Sequence, residues 1–424
     1  MSSTAFLERD IKAIKKRAQI NFIYKGIKKI LKILFRSKRI RTILVYPEIT
    51  DQSALEDILN RIIWGFPNFK DLRIYIVVED DLKNISLESL EGPQYQRSYL
   101  KDLTNIKLIS SKELSKFWGN NSILIHKAKK IFDTSVLLRL HKVQIIDKNY
   151  FSNTEALAWQ NLNYSTYTKK EHTKFSDLSK KNYSKFLLQN NKKAYCFATG
   201  PSFDRYEEFK FEDDSSKIIC NTTIKNDKFL EYIRKPDLLV FADPVFHFGP
   251  CEYAAQFRDR VLEVVKKYKC YVMVPEKEMP YLLSNYPELK DFIIGMASKK
   301  GTFNFPSVEK FWVKGSSNIM TQLMFPVASA IANEIFIIGA DGRKPEEKYF
   351  WKHSSSAQYD DLMKTVFETH PSFFRDRDYK DYYDVHCKLL EDLINFGEKL
   401  GRKYYSLTPS YIPVLSNKLF KDTE

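Results

Sequence analysis

Short apolar runs rich in Ile, Val and Leu recur along this chain, and stretches of helical period fill the gaps between them. This alternation constrains the fold most. Strands hydrophobic on both faces need helices on both faces, which predicts parallel sheets in an α/β chain. In the first half the strands are expected at 42–46, 72–78, 106–110, 122–126 and 142–146. A helix is expected over 53–63, where Leu55, Ile58, Leu59 and Ile62 share one face. A second series begins at Lys193, with strands expected at 194–198, 217–220, 237–242, 270–274, 334–339 and 403–407. Its helices are expected at 252–267, 317–332, 357–368 and 381–400. With 424 residues, 43% of them hydrophobic and 14% aromatic, the chain has material for two cores. Two Rossmann-like domains are therefore expected, over 42–150 and 193–415. Residues 151–192 are polar and aperiodic and read as a linker or bridging helix, and 416–424 as a tail.

The net charge of +15 is unevenly placed. Residues 1–42 hold thirteen Lys and Arg against Glu8 and Asp10, so the arm carries +11 and everything after it only +4. Within the arm, Ile23, Ile27, Ile30, Leu31 and Leu34 fall at helical spacing, with lysines over most of the other face. Such a helix suits the surface of an anionic membrane. It equally suits a helix packed on the body with a solvated basic side. A nucleic-acid partner is not expected, because the arm lacks interleaved stacking aromatics and the rest of the chain offers no basic patch. No stretch is long and apolar enough to span a bilayer, and no cleavable signal is evident at the N-terminus. Five scattered cysteines without a C-x-x-C pattern point to a reducing compartment rather than a disulfide framework. The expected location is cytoplasmic, peripheral to the inner face of the membrane through residues 1–41.

The candidate chemistry lies at predicted strand ends. The 194–198 strand runs into Thr199-Gly200-Pro201-Ser202, where Gly200 allows close backbone approach and the turn's N–H groups suit a phosphate. A plain structural turn has the same appearance. The second strand closes on Asn221, whose amide can both donate and accept, and the third on Asp243. Ser316, Ser317 and Asn318 open a helix with the stripe Met320, Leu323, Val327 and Ile331, as N-cap or anion site. The next strand ends in Gly339-Ala340-Asp341-Gly342. Neither a G-x-G-x-x-G nor a Walker loop is present.

These stretches, in this order, resemble the bacterial sialyltransferase family that includes the Campylobacter lipooligosaccharide enzymes and related nonulosonate transferases. There, a strand leads into G-x-G-P-S, the second strand ends in C-N, a T-S-G turn opens a helix, and the following strand ends in S-G-I-D. The matching stretches here are 198–202, Cys220-Asn221, 316–318 and 338–341, with a late match at 389–391 and Thr408-Pro409-Ser410. The resemblance covers roughly residues 193–412. It implies that Gly200, Ser202, Asn221, Ser316 and Ser317 hold CMP. Of two family tyrosines on the departing phosphate, the second corresponds to Tyr349, while Arg343 occupies the first position. Thr199 stands where the family has asparagine. The extra N-terminal half makes the chain look like a two-domain, GT-B-like transferase, with 42–150 on the acceptor side.

The implied reaction moves an acidic keto-sugar from its CMP donor to a glycan acceptor. It needs stabilisation of the leaving phosphate and a base for the acceptor hydroxyl, a role that suits histidine. His370, His386 and His353 lie downstream of Asp341; His370, just before Pro371, is the first choice for base. His386 fits a structural histidine, and His353 a contact to donor carboxylate or phosphate. No metal or other cofactor is expected, because Asp243 and Asp341 end strands singly and Asp213-Asp214 and Asp360-Asp361 end none. Competing readings are a CMP-Kdo-dependent transferase, a pterin pyrophosphokinase-like protein using ATP and Mg²⁺, and a non-catalytic nucleotide-binding scaffold.

Overall fold

The computed structural model describes residues 10–34, 39–66, 71–87, 90, 103–151, 154–188, 192–344 and 353–421. The chain divides into two compact units. The first takes its described residues from Met1–His172, Pro244–Ala255 and Lys364–Arg377, the second from Thr173–Asp243, Gln256–Met363 and Asp378–Glu424.

In the first unit, β1 (Thr42–Ile49), β2 (Arg73–Val78), β3 (Ile106–Ser110), β4 (Ser122–Ile125) and β5 (Val143–Ile145) form one sheet in the order β3-β2-β1-β4-β5. Every pairing is parallel, with Ile43 opposite Ile74 on one side and Ser122 on the other. The helix Gln52–Gly65 buries Leu55, Ile58, Leu59 and Ile62, the face expected from its period. Asp51 caps it, its carboxylate accepting from the Ala54 N–H at 2.8 Å. Two stretches from later in the chain complete this unit. Trp64 Nε1 donates to the Phe248 carbonyl, Arg61 Nη2 to the Thr369 carbonyl (2.9 Å), and Phe246 packs edge-on against Phe373.

In the second unit, β6 (Lys193–Phe197), β7 (Ser216–Cys220), β8 (Leu238–Val240), β9 (Tyr271–Pro275), β10 (Ile293–Lys299), β11 (Trp312–Lys314), β12 (Glu334–Ile338) and β13 (Lys403–Ser406) run parallel in the order β11-β10-β9-β8-β7-β6-β12-β13. One face buries Cys196, Ile218, Val240 and Ile337 against Leu323, Val327, Leu390 and Ile394 from the covering helices. The other carries an aromatic layer in which Tyr195 stacks on Phe336 at 5.2 Å and Phe336 on Tyr405 at 5.1 Å. Both units are thus all-parallel α/β sheets, the two Rossmann-like domains that the alternation of strands and helices predicts.

Three departures from the sequence reading have local causes. The helix expected over 317–332 opens as a π turn, Met320–Met324, before the α segment Phe325–Ile331. Pro326 has no N–H for the ordinary ladder, and the Phe325 N–H reaches back to the Met320 carbonyl. Strands β10 and β11 were not anticipated, because IIGMASK turns polar after Met296 and WVK is short. The 151–192 stretch holds two helices, Thr154–Ser165 and Lys169–Leu187. The period of the second is masked because polar residues occupy its buried face. Ser179 Oγ accepts from the Gly295 N–H (2.9 Å), and Asn182 Nδ2 donates to the Ile293 carbonyl (2.8 Å).

The arm is a helix from Ile11 to Leu34, packed on the first unit. Tyr24, rather than the predicted isoleucine stripe, is turned inward, and its hydroxyl donates to the Val143 carbonyl at 2.7 Å. Arg17 pairs with buried Asp376 at 2.8 Å. Ile23, Ile27 and Ile30 are exposed and Leu31 is half-buried. Among the described residues, no helix is long and apolar enough to cross a membrane.

Candidate functional site

In the second sheet the strand order reverses between β6 and β12, and ligands of open α/β sheets bind at the carboxyl ends of strands beside such a switch. The residues following those strands are Thr199–Ser202 and Gly339–Arg343. They are pressed together. Gly339 has φ +77, and a side chain there would collide with the Ala198 carbonyl. A Cβ on Gly200 would run into the Asp341 carboxylate and lie 2.6 Å from the Gly339 carbonyl oxygen. Both glycines are therefore demanded by close backbone approach.

The turn's own donors are already engaged. The Ser202 N–H donates to both carboxylate oxygens of Asp341 at 3.1 Å, and Ser202 Oγ to Oδ2 at 2.9 Å. Ser202 Oγ also meets Thr408 Oγ1 at 2.8 Å, and Ser410 Oγ donates to the Ala340 carbonyl at 2.6 Å. Burial raises the Asp341 pKa, with the Ser202 hydrogen bonds opposing that rise. The expected phosphate cradle is thus, in this structure, an intramolecular cap: a carboxylate sits where a phosphate was anticipated. The late Thr408-Pro409-Ser410 stretch does meet the ends of β6 and β12.

One strand over, Asn221 ends β7 with φ +49, a left-handed conformation uncommon outside glycine. Its Oδ1 is closed off from solvent and has no hydrogen-bond partner among the described residues. A strained backbone and an unmet acceptor on one residue are the marks of a ligand-reading side chain. The π turn opened by 316–318 packs against β7, and Met320 shares the core with Cys220. Asn318 acts as the expected cap, its Oδ1 accepting from the Met320 N–H at 2.9 Å. Ser316 Oγ bonds Thr321 Oγ1 at 2.8 Å, and Ser317 is exposed.

A strap over 353–358 crosses the ends of β6 and β7. Thr199 Oγ1 bonds His353 Nδ1 at 2.9 Å, and the Thr199 carbonyl accepts from the Ser354 N–H at 2.8 Å. Ser354 Oγ donates to Asp204 at 2.6 Å, Asn226 Nδ2 to Ser356 Oγ at 3.1 Å, and Thr222 and Lys225 to strap carbonyls. Thr199 is thereby a tether for His353, which explains a hydroxyl at that position. Burial lowers the His353 pKa to about 4, so the ring is neutral near pH 7. Asp204, Asn226 and the strap serines were missed in the sequence, where they look like ordinary loop and helix polars.

The remaining candidates lie elsewhere. Gly342 has φ +77 and abuts Tyr383, whose hydroxyl accepts from the Arg343 N–H at 3.2 Å. Asp243 is partly exposed, where the chain leaves the second unit. Tyr349 lies outside the described residues. His386 is buried on the helix Tyr379–Lys399, its pKa lowered to about 4 by burial. His370 belongs to the first unit, where Nδ1 lies 2.9 Å from Glu155 Oε2 and Nε2 faces Gly249. Glu155 also takes Arg61 Nη1 (2.5 Å) and Trp159 Nε1 (2.7 Å); Arg61, Glu155 and His370 are only 2–3% exposed. The structure thus gathers Thr199, Gly200, Ser202, Asp341 and His353 at one switch point, with Asn221 on the adjoining strand, and places His370 in a buried charge network.

Two all-parallel sheets, the second with polar strand ends at its switch point, define an open, Rossmann-like α/β fold. No family model matches it, and no curated protein matches it. Among solved structures it is similar to the sialyltransferase CstII from Campylobacter jejuni in complex with a substrate analogue, CMP-3FNeuAc. That likeness has 16% identity and a TM-score of 0.30, and covers 55% of this chain and 92% of that one.

Proposed function

We propose that this protein is a glycosyltransferase that moves an acidic nine-carbon keto-sugar, of sialic, pseudaminic or legionaminic type, from its CMP donor to a bacterial surface glycan such as capsule or lipopolysaccharide. Asn221 carries the reading. Cytosine presents both donors and acceptors, and an asparagine held in a strained conformation with a buried, unmet Oδ1 at a strand end has the capacity to read such an edge. Gly200 and Gly339 let backbone come close, and Ser317 offers a hydroxyl at the start of the neighbouring helical segment. The reaction needs no metal in this reading. The arm brings the enzyme to the inner face of the cytoplasmic membrane.

Of the three histidines, His353 is favoured as the base, because it is partly exposed at the switch point and neutral. His370 competes, because Glu155 fixes its tautomer.

A thermal-shift panel of CMP, CDP, UDP, GDP and ATP, with and without Mg²⁺, tests the donor. Stabilisation by CMP that survives a chelator is expected. A preference for ATP with Mg²⁺ would make it a pyrophosphokinase-like protein, and no shift with any nucleotide a scaffold. In the same preparation, near-native turnover by His353→Ala would pass the base role to His370.

A further inference from the structure

Fifteen large hydrophobic side chains are exposed among the described residues, and eight of them fall in two short segments. Five lie on the arm helix, where Phe22 is 80% and Ile30 61% exposed; Phe132, Leu137 and Leu138 lie between β4 and β5, Leu138 at 74%. The same two segments hold the charge. Residues 127–142 contain Lys127, Lys129, Lys130, Arg139 and Lys142 against Asp133 alone, a surplus of four. With the +11 of residues 1–42, this accounts for the whole formal charge of +15, and the other 366 residues sum to zero.

The segments are distant in sequence and share one small core. Tyr24 of the arm packs with Ala128, Ile131, Val136 and Leu140 over Ile125 and Val143 of the sheet. The Tyr24 hydroxyl donates to the Val143 carbonyl and Lys28 Nζ to Gln144 Oε1 at 2.7 Å, so the helix is fixed along β5. With Tyr24 and Lys28 inward, the outward face presents Phe22, Ile23 and Ile30 among Lys15, Lys16 and Lys29. The loop repeats the pattern, with Phe132, Leu137 and Leu138 beside exposed Lys129 and Lys130.

We infer that these two segments form one docking surface for an anionic lipid bilayer. The inference rests on the arm reading above and extends it to residues 127–142. Isolated apolar side chains are ordinary on a soluble surface, but eight of them concentrated among lysines are not. Shallow insertion of Phe, Ile and Leu below the headgroups, with lysines at the phosphate level, satisfies both chemistries at once. A nucleic acid would use the lysines and leave the isoleucines and leucines in water.

The test is flotation of the full chain with vesicles of phosphatidylcholine alone and of phosphatidylcholine mixed with phosphatidylglycerol. Flotation with the anionic vesicles only is expected. Phe22→Ser with Ile30→Ser, and separately Leu137→Ser with Leu138→Ser, should each lower partitioning by about tenfold or more, given the apolar contact each removes. Leu188→Ser, at a leucine more exposed than either and outside both segments, should change nothing. All these sites are solvent-exposed, so unchanged melting temperatures check the fold. Native flotation of the Leu137/Leu138 variant overturns the two-segment surface and leaves the arm alone. Native flotation of both variants overturns lipid insertion, as for a basic face made for nucleic acid or an acidic protein. A CMP-dependent thermal shift without flotation sinks this surface and spares the donor reading; flotation without the shift does the opposite.

Discussion

At the switch point of the first sheet, between β1 and β4, the Tyr46 and His126 side chains pair with the chain itself, whereas on β7, beside the β6/β12 switch point, Asn221 keeps a buried Oδ1 unmet. In the first, His126 Nε2 lies 2.7 Å from the Pro47 carbonyl oxygen, the Ala128 N–H donates to Asp147 (2.8 Å), and the Tyr46 hydroxyl to Asp133 (2.6 Å). In the second, Gly200, Gly339 and Gly342 crowd the strand ends, and Asn221 holds a left-handed backbone with an unmet Oδ1. Topology offers a crevice in both sheets. A left-handed backbone and an unmet acceptor on the same residue set the second apart.

The largest test of that contrast is Gly339→Ala. Its Cβ would press on the Ala198 carbonyl carbon at 2.8 Å from a backbone at φ +77. A loss of about 3 kcal/mol or more is expected in urea unfolding. Thr50→Ala, just past β1 and exposed, should stay within about 0.5 kcal/mol. Equal, small effects would erase the difference in crowding between the two switch points.

Acid should act next. His353 and His386 have folded pKa values of about 4, below the roughly 6.5 of an unfolded histidine. Between those values the unfolded chain binds more protons, so stability is full above about pH 6.5 and is lost as pH falls toward 4. His386 alone accounts for ~3 kcal/mol of that loss by linkage. His386→Leu should therefore flatten the pH dependence of unfolding. His126 is shifted in the same direction by burial, with its Pro47 contact opposing. An acid loss that His386→Leu leaves untouched would move the sensitivity to other groups.

The smallest effect on stability, and the sharpest on function, belongs to Asn221→Gly. Relief of the left-handed strain should stabilise the protein by ~1 kcal/mol, while the CMP-dependent shift weakens or disappears. An intact CMP response would reduce Asn221 to a turn residue like Arg234 (φ 62) or Lys269 (φ 54).

Much of the framework was legible in local pattern. β-branched runs marked eleven of the thirteen strands, and the helical stripes at Leu55–Ile62 and Met320–Ile331 are buried as their periods required. Such periodicity survives because burial acts on neighbouring residues alike. The strand-end residues Gly200, Asn221 and Asp341 were legible by the same route, since the end of a strand fixes where the next few residues lie. The serine and asparagine inside the buried stripe of Lys169–Leu187 obscured the period of that helix, because each is satisfied by backbone of a distant strand.

What the sequence determined by itself is the order of eleven of the thirteen strands and of the longer helices, and the polar residues that terminate them. Only the tertiary structure decided who meets whom. Asp341 caps Ser202 from 139 positions away, and Glu155 takes His370 from 215. It also turned Tyr24 inward and the arm's isoleucines outward. A carboxylate carries no local sign of the donor it will satisfy, and a stripe with apolar residues on two faces no sign of which will be covered. Those choices depend on contacts that exist only once the sheets have formed.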